Sequence, residues 1–192
     1  MEQNRRNQID EFDKRIRSRR NLYIPIVIVC GAGKPNVEDE GENDRIHIYN
    51  YETRKALVDN LNEKGFFAFM FEDDFELIVP SIEEQNVCRY PEIDKVIVFS
   101  HSPAAISEFT SFLEDKIIRS KLVVLVPEEF HPFSNISPGY LDSVFWRILV
   151  EGGQVLPYDA SGMKKVWNSV GKYLEAYRAL KASQINTRFS SK

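Results

Sequence analysis

A glutamate in the middle of the chain stands where covalent chemistry would need it. Glu108 follows the apolar run Val96–Ser100 and lies about one and a half turns into a helix that we predict to begin at Pro103, with Ser102 as its N-cap. The positive end of a helix favours a carboxylate, so we expect Glu108 to be ionised at neutral pH and able to act as a nucleophile. The alternative is that Glu108 is an ordinary residue of an early helix turn with no role in catalysis.

A glycine-containing loop is the second candidate feature. Gly31, Gly33 and Lys34 follow the apolar run Ile24–Cys30. Glycines let the backbone approach a ligand closely and can turn N–H groups toward a phosphate. The loop lacks the third glycine of a dinucleotide-binding fingerprint and the glycine-lysine-threonine ending of a P-loop. A plain turn is therefore as good an interpretation as a phosphate-binding loop.

Three consecutive carboxylates form the third candidate. Glu72, Asp73 and Asp74 follow the apolar run Phe66–Phe71. Adjacent carboxylates at a strand end can bind the diol of a ribose or a cation, and their repulsion raises one pKa. An exposed acidic loop is the alternative. Glu84, further along, is assigned a structural role, because acids near the start of a helix complement its dipole.

The elements that position these residues alternate between apolar runs and amphipathic helices. The predicted strands are Ile24–Cys30, Phe66–Phe71, Val96–Ser100, Leu122–Val126 and Gln154–Pro157. Continuous apolar runs separated by helices are typical of a parallel sheet covered on both faces, so we predict a doubly wound, Rossmann-like or flavodoxin-like α/β fold with five strands. The candidate loops then meet at the carboxyl edge, and the ends of Ile24–Cys30 and Val96–Ser100 should be adjacent.

In these motifs the chain resembles the nucleoside deoxyribosyltransferase-like proteins, particularly effectors of retron-type antiphage systems. The matching segments cover roughly residues 24–158 and comprise Cys30–Gly33, Arg54, Phe71–Asp73, Asp94–Phe99 and Ser102–Glu108. The resemblance implies cleavage or transfer at the N-glycosidic bond of a nucleoside, nucleotide or NAD, without a cofactor. It implies that Glu108 is the nucleophile and Asp73 a second catalytic residue. The implied substrate-binding residues are Gly31, Gly33, Glu72, Asp94, Ser102 and Ser107.

Two other interpretations stay open. The segment Val96–Phe112 is moderately similar to TIR-type domains, which use a helix glutamate to cleave NAD. A non-catalytic nucleotide-sensing module on the same scaffold is the alternative from another class. His131 is isolated from other ligand-type residues, so we predict no metal site.

The ends of the chain differ from its middle. Residues 1–21 form a basic amphipathic helix with Ile9, Phe12 and Ile16 on one narrow stripe, residues 22–182 form the domain, and residues 183–192 are predicted to be a disordered tail. A helix with so narrow an apolar stripe is not stable alone. It must therefore pack on the domain or on a second subunit, and we predict a homo-oligomer.

Composition narrows the class of protein. The 25 basic and 29 acidic residues give a net charge of −4, which is too balanced to indicate a nucleic-acid partner for the whole chain. Cys30 and Cys88 are not spaced like metal ligands, and we expect both to be reduced and packed. The apolar runs are far shorter than a membrane span, and the sequence begins without a signal-peptide pattern, so we expect a cytoplasmic protein.

Overall fold

A parallel sheet of five strands organises the chain. The computed structural model describes residues 8, 10–12, 14–16, 18, 24–31, 33–34, 42–74, 80–100, 103–134, 140–158 and 163–190. The strands are β1 (Ile26–Cys30), β2 (Phe67–Phe69), β3 (Lys95–Phe99), β4 (Leu122–Pro127) and β5 (Gln154–Tyr158), in the order β2-β1-β3-β4-β5. All pairings are parallel, which confirms the predicted doubly wound α/β fold.

The three central strands are buried on both faces. Every residue of β1 and β3 is buried, as is β4 up to Val126, because helices cover each side of the sheet. Cys30 at the end of β1 pairs with Val98 of β3, so the predicted adjacency of these two strand ends is confirmed.

Helices fill both faces of the sheet. They are α2 (Glu42–Glu63), α3 (Phe71–Asp74), α4 (Pro80–Cys88), α5 (Pro103–Leu113), α6 (Lys116–Arg119), α7 (Tyr140–Val150) and α8 (Met163–Ser190), with a 3₁₀ turn at Glu128–Phe130. Residues of α2 and α8 share one buried cluster with the sheet, and residues of α4, α5 and α7 share the other. No helix within the described part of the chain is long and apolar enough to cross a membrane.

The N-terminal helix packs on its own domain. Helix α1, described at residues 8, 10–12, 14–16 and 18, buries Phe12 and Ile16 in the core cluster that contains α4 and α5. The rings of Phe12 and Phe69 meet edge to face at 5.0 Å, and the Arg15 guanidinium lies 5.2 Å from the centre of the Phe67 ring. Of the two alternatives given for the helix, the structure shows packing on its own domain, so the helix no longer argues for a homo-oligomer, which stays a prediction. Ile9 lies outside the described residues.

The last helix is longer than the sequence predicted. A frayed tail was expected from Ser183, whereas α8 continues to Ser190. Residues 183–190 contain neither glycine nor proline and include Gln184 and Arg188, which are good helix formers, so nothing in this stretch ends α8 earlier.

Side chains occupy both edges of the sheet. At the β2 edge, the Asn62 amide donates from Nδ2 to the Ala68 carbonyl at 3.0 Å and accepts from the Ala68 N–H at 2.9 Å. At the β5 edge, His131 Nε2 lies 3.3 Å from the carbonyl oxygen of Val155. Pro157, two residues on and on the same side of the strand, has no N–H to offer. The backbone groups of Ala68 and the Val155 carbonyl are thus covered, and Pro157 lacks the N–H that could bond to another strand.

Candidate functional site

The strand order places a crevice at the carboxyl ends of β1 and β3. From β1 the chain crosses through α2 to β2 on one side, and β3 then pairs with β1 on the other side. Ligands of doubly wound proteins bind where the order reverses in this way. Gly31 follows the last residue of β1. Ser100 follows the last residue of β3, and its hydroxyl donates to the Leu125 carbonyl at 2.9 Å.

A buried arginine organises this edge. Arg54 of α2 has no solvent exposure, and its Nη1 donates to Glu72 Oε1 at 2.5 Å. A buried guanidinium needs such an anion, because an uncompensated charge is costly away from water. Glu72, predicted to hold sugar hydroxyls, is therefore already bound to Arg54.

Position 31 has no room for a side chain because Arg54 passes beside it. A methyl group built on Gly31 would lie 2.9 Å from Arg54 Cδ, closer than real contacts allow, and 3.0 Å from its Nε. The backbone of Gly31 does not use the left-handed region that glycine favours, so side-chain packing is the reason for this residue. Gly33 is exposed, with nothing within 4 Å of the corresponding methyl position.

Asp73 lies beside this arrangement and is held by two neighbours. The Tyr51 hydroxyl donates to Asp73 Oδ1, and Lys34 Nζ lies 4.0 Å from the same oxygen. Burial and the bond to Asp73 raise the pKa of Tyr51, so the phenol keeps its proton and remains a donor. Tyr51 of α2 thus orients Asp73, which lies in α3 just after β2.

Glu108 lies near a second glutamate, Glu84, for which only a structural role was predicted. Besides burial, the charge of Glu84 in α4 and a hydrogen bond to it both raise the pKa of Glu108, and the side chains of the two glutamates are half-buried. The charge of Arg54 acts on both glutamates, and that of Glu72 acts on Glu84. Arg54, Glu72, Glu84 and Glu108 therefore form one group, here called the carboxyl-edge cluster.

The ionisation expected for Glu108 was wrong. Burial, the negative charge of Glu84 and the hydrogen bond to Glu84 raise the pKa of Glu108 to about 9, although Arg54 opposes the shift. Glu108 is the sixth residue of α5, and the field of a helix terminus fades beyond the first turn. Desolvation and a like charge therefore outweigh the helix dipole, and Glu108 carries a proton at neutral pH.

Two buried cysteines lie behind the glutamate pair. Cys30 and Cys88 are both free and buried, as predicted. The hydrogen bond to Cys88 and burial raise the pKa of Cys30, and the charges of Glu108 and Glu84 act in the same direction. The Cys30 thiol is therefore protonated, and the two cysteines form an apolar wall beside the cluster.

Two of the remaining predicted site residues lie elsewhere. Asp94 precedes β3, so it lies at the amino edge of the sheet, where its Oδ2 accepts from the Ile26 N–H at 2.8 Å and its Oδ1 accepts from the Tyr177 hydroxyl at 3.0 Å. Lys181 completes that group with an ion pair to Asp94. Ser107 is exposed and points away from Glu108, as successive helix residues do. Ser102 lies outside the described residues.

The spacing of residues along α4 could have identified Glu84 as an inward-facing residue. It precedes the fully buried Cys88 by four residues and therefore shares the inward face of α4. Glu108 precedes the buried Phe112 by the same interval on α5. Two glutamates on the inward faces of neighbouring helices form a pair that can hold one proton between them.

A groove of about 480 Å³ runs along β2 and reaches Asp73. Its lining includes apolar residues of β2, Arg15 of α1 and Asn62 of α2. Its volume is within the range of small-molecule sites.

The fold and the site define a doubly wound α/β protein with a paired-carboxyl centre at its switch point. We compared the chain with models of protein families, with curated proteins and with solved structures, and none of the three comparisons finds a match.

Proposed function

We propose that this protein cleaves the N-glycosidic bond of a nucleoside, a nucleotide or NAD, by hydrolysis or by transfer of the sugar to a second base. Glu108 is the nucleophile in this proposal. The observation that carries it is the position of Glu108 at the switch-point edge, partly exposed and in the same cluster as Arg54 and Glu72. The resemblance to deoxyribosyltransferase-like proteins supports the same residue.

The chemistry suits a carboxyl group in a desolvated crevice. As the base departs, positive charge develops at the anomeric carbon of the sugar, and a carboxylate can capture that carbon as a covalent glycosyl ester. Attack requires the ionised form, so the proton that Glu108 holds before substrate binds has to leave during the reaction. The developing positive charge favours the carboxylate because an opposite charge nearby stabilises the ionised form.

The neighbouring groups have compatible roles. Asp73, oriented by Tyr51, can accept hydrogen bonds from the sugar hydroxyls. The groove beside Asp73 provides space for the part of the substrate that does not react. Glu72 holds Arg54 in place, and the positive charge of the Arg54 guanidinium partly compensates the negative charge around Glu108.

Release of free base is the direct test. The purified protein is incubated with nucleosides, nucleotides and NAD, and the bases are separated by liquid chromatography. Glu108→Gln should lower turnover by several orders of magnitude while nucleotide binding persists, because the amide keeps the shape of the side chain and cannot attack. Glu114→Gln, which changes an exposed glutamate just after α5, is the matched control and should retain activity.

Two results would contradict the proposal. If the wild-type protein releases base from none of these compounds, it is not an N-glycosidase. If Glu108→Gln releases base as fast as the wild type, Glu108 is not the nucleophile.

A nucleotide-binding module without catalysis is the second candidate. The proton on Glu108 favours it, because a protonated carboxyl donates a hydrogen bond and is a poor nucleophile. In that case calorimetry detects a bound nucleotide that is recovered unchanged.

A further inference from the structure

Four large apolar side chains are exposed together on the β5 flank of the domain. Phe130 is 58% exposed and Phe133 68%, and Trp146 and Val150 of α7 are 41% and 83% exposed. The rings of Phe133 and Trp146 meet edge to face at 5.0 Å, and Val150 lies one helical turn after Trp146. Phe130 directly precedes His131, whose ring lies 5.4 Å from the Phe133 ring. Phe130, Phe133, Trp146 and Val150 are here called the aromatic patch.

A hydrogen-bonded turn presents the phenylalanines of this patch. The Phe133 N–H donates to His131 Nδ1 at 3.4 Å, and His131 Nε2 lies 3.3 Å from the carbonyl oxygen of Val155. The N–H and the hydroxyl of Ser134 both donate to the His131 carbonyl, at 2.7 Å and 2.6 Å. Phe133 is therefore exposed on a backbone that is already fixed. A surface that is ordered before binding loses less entropy when it binds.

The aromatic patch is large enough to form the centre of a stable interface. At the sizes of these side chains, the exposed fractions amount to an area on the order of 450 Å². A stable interface takes about 800 Å² from each partner, about two-thirds of it apolar in homodimers, so the patch supplies most of the apolar part. The other large apolar side chains that are exposed in the described part of the chain lie on four different helices: Tyr49, Ile82, Ile117 and Leu180.

The charges that border the patch are balanced and paired with one another. Arg147 lies beside Trp146, with its Nη1 3.0 Å from Glu114 Oε1 and its Nε 3.4 Å from Glu151 Oε1. Arg119 Nε lies 2.5 Å from Glu151 Oε2. These two cations and two anions leave no net charge that would attract an anionic membrane or a nucleic acid.

The same balance suits a second copy of this chain. Two identical borders of zero net charge meet without repulsion. The exposed ion pair of Arg147 and Glu114 can also exchange partners across a two-fold axis, because such an axis brings the arginine of each copy toward the glutamate of the other.

We propose that the aromatic patch is the interface of a symmetric homodimer. A two-fold axis sets the patch of one copy against the patch of the other, so that each covers the exposed aromatic rings of its partner. The patch lies on the β5 side of the sheet, whereas the switch-point crevice lies between β1 and β3. The dimer therefore leaves the crevice open, and the inference does not rest on the proposed catalytic function.

Sedimentation velocity and light scattering over a range of protein concentrations test the proposal. The wild type should reach about twice the chain mass of 22.3 kDa. Phe133→Asp and Val150→Asp each bury a charge in the interface and should raise the dissociation constant at least about 30-fold, as at a binding hot spot. Ile82→Asp, the matched control, places the same charge on an exposed isoleucine of α4 and should leave the dissociation constant unchanged. Thermal denaturation checks that each variant is folded.

The fluorescence of Trp146 locates the interface. The chain has two tryptophans, and Trp167 of α8 packs against the cluster on the other face of the sheet. Emission should shift to shorter wavelength as concentration rises, because dimerisation removes Trp146 from water. Trp146→Phe keeps an aromatic ring and should still dimerise, but its emission comes from Trp167 alone and should not depend on concentration.

Three outcomes would overturn the proposal. The first is a wild type that stays monomeric at its highest soluble concentration. The second is a dimer that Phe133→Asp does not weaken and that forms without a change in Trp146 emission, because it uses another surface. The third is a monomer that floats with phosphatidylcholine–phosphatidylserine vesicles and loses this binding in Phe133→Asp, which would assign the patch to a membrane.

Discussion

Replacing Glu108 with Gln should alter how stability depends on pH, whatever the protein binds. The pKa of Glu108 is about 9 in the folded protein against an ordinary value of 4.5. Between these values the folded protein holds a proton that the unfolded chain has released. The free energy of unfolding therefore falls as pH rises, by up to about 1.4 kcal/mol per pH unit. This stabilising contribution is complete below the ordinary pKa and is lost as pH approaches 9.

A glutamine cannot titrate, so Glu108→Gln lacks this loss. Relative to the wild type, the variant should gain about 2–3 kcal/mol between pH 5.5 and 7.5. Urea denaturation followed by tryptophan fluorescence, at constant ionic strength and several pH values, measures the difference. Glu63→Gln removes a carboxylate from an exposed position and corrects for the loss of one negative charge. A difference that stays constant over this range would mean that Glu108 is ionised in the folded protein and that burial does not control it.

Three other substitutions test the packing. Gly31→Ala should destabilise the protein by about 1–3 kcal/mol in thermal denaturation, since the added methyl group displaces the Arg54 side chain. Phe12→Ala should cost about 3–5 kcal/mol and expose α1 to limited proteolysis, while light scattering still reports the wild-type mass, because the helix packs on its own chain. Asn62→Ala should increase concentration-dependent association measured by light scattering, because it uncovers the Ala68 backbone at the β2 edge.

The strands could be predicted because both faces of this sheet are buried. Runs such as Ile26–Cys30 have no polar side to present to solvent, so they read as continuous apolar segments bounded by polar or glycine residues. The parallel order then brings the glycine loop, the acids after β2 and the start of α5 to one edge. Gly31, Glu72, Asp73 and Glu108 lie there.

The roles of these residues depend on packing that spacing does not encode. Glu84 meets Glu108 only because α4 and α5 adopt a particular axial register. The protonation of Glu108 follows from that contact and from desolvation. The sequence predicts that Glu108 lies in a helix, but it predicts neither of these causes. Asp94 is a different kind of error: a residue before a strand belongs to the opposite edge from residues after it, so topology alone could have excluded it.

The two residues that cover the sheet edges both precede their strands in the chain. Asn62 comes six residues before Ala68, and His131 comes 24 residues before Val155. During synthesis the covering side chain therefore leaves the ribosome before the backbone that it covers. Each outer strand meets its cap as soon as it can join the sheet, which shortens the time in which a neighbouring nascent chain could pair with it.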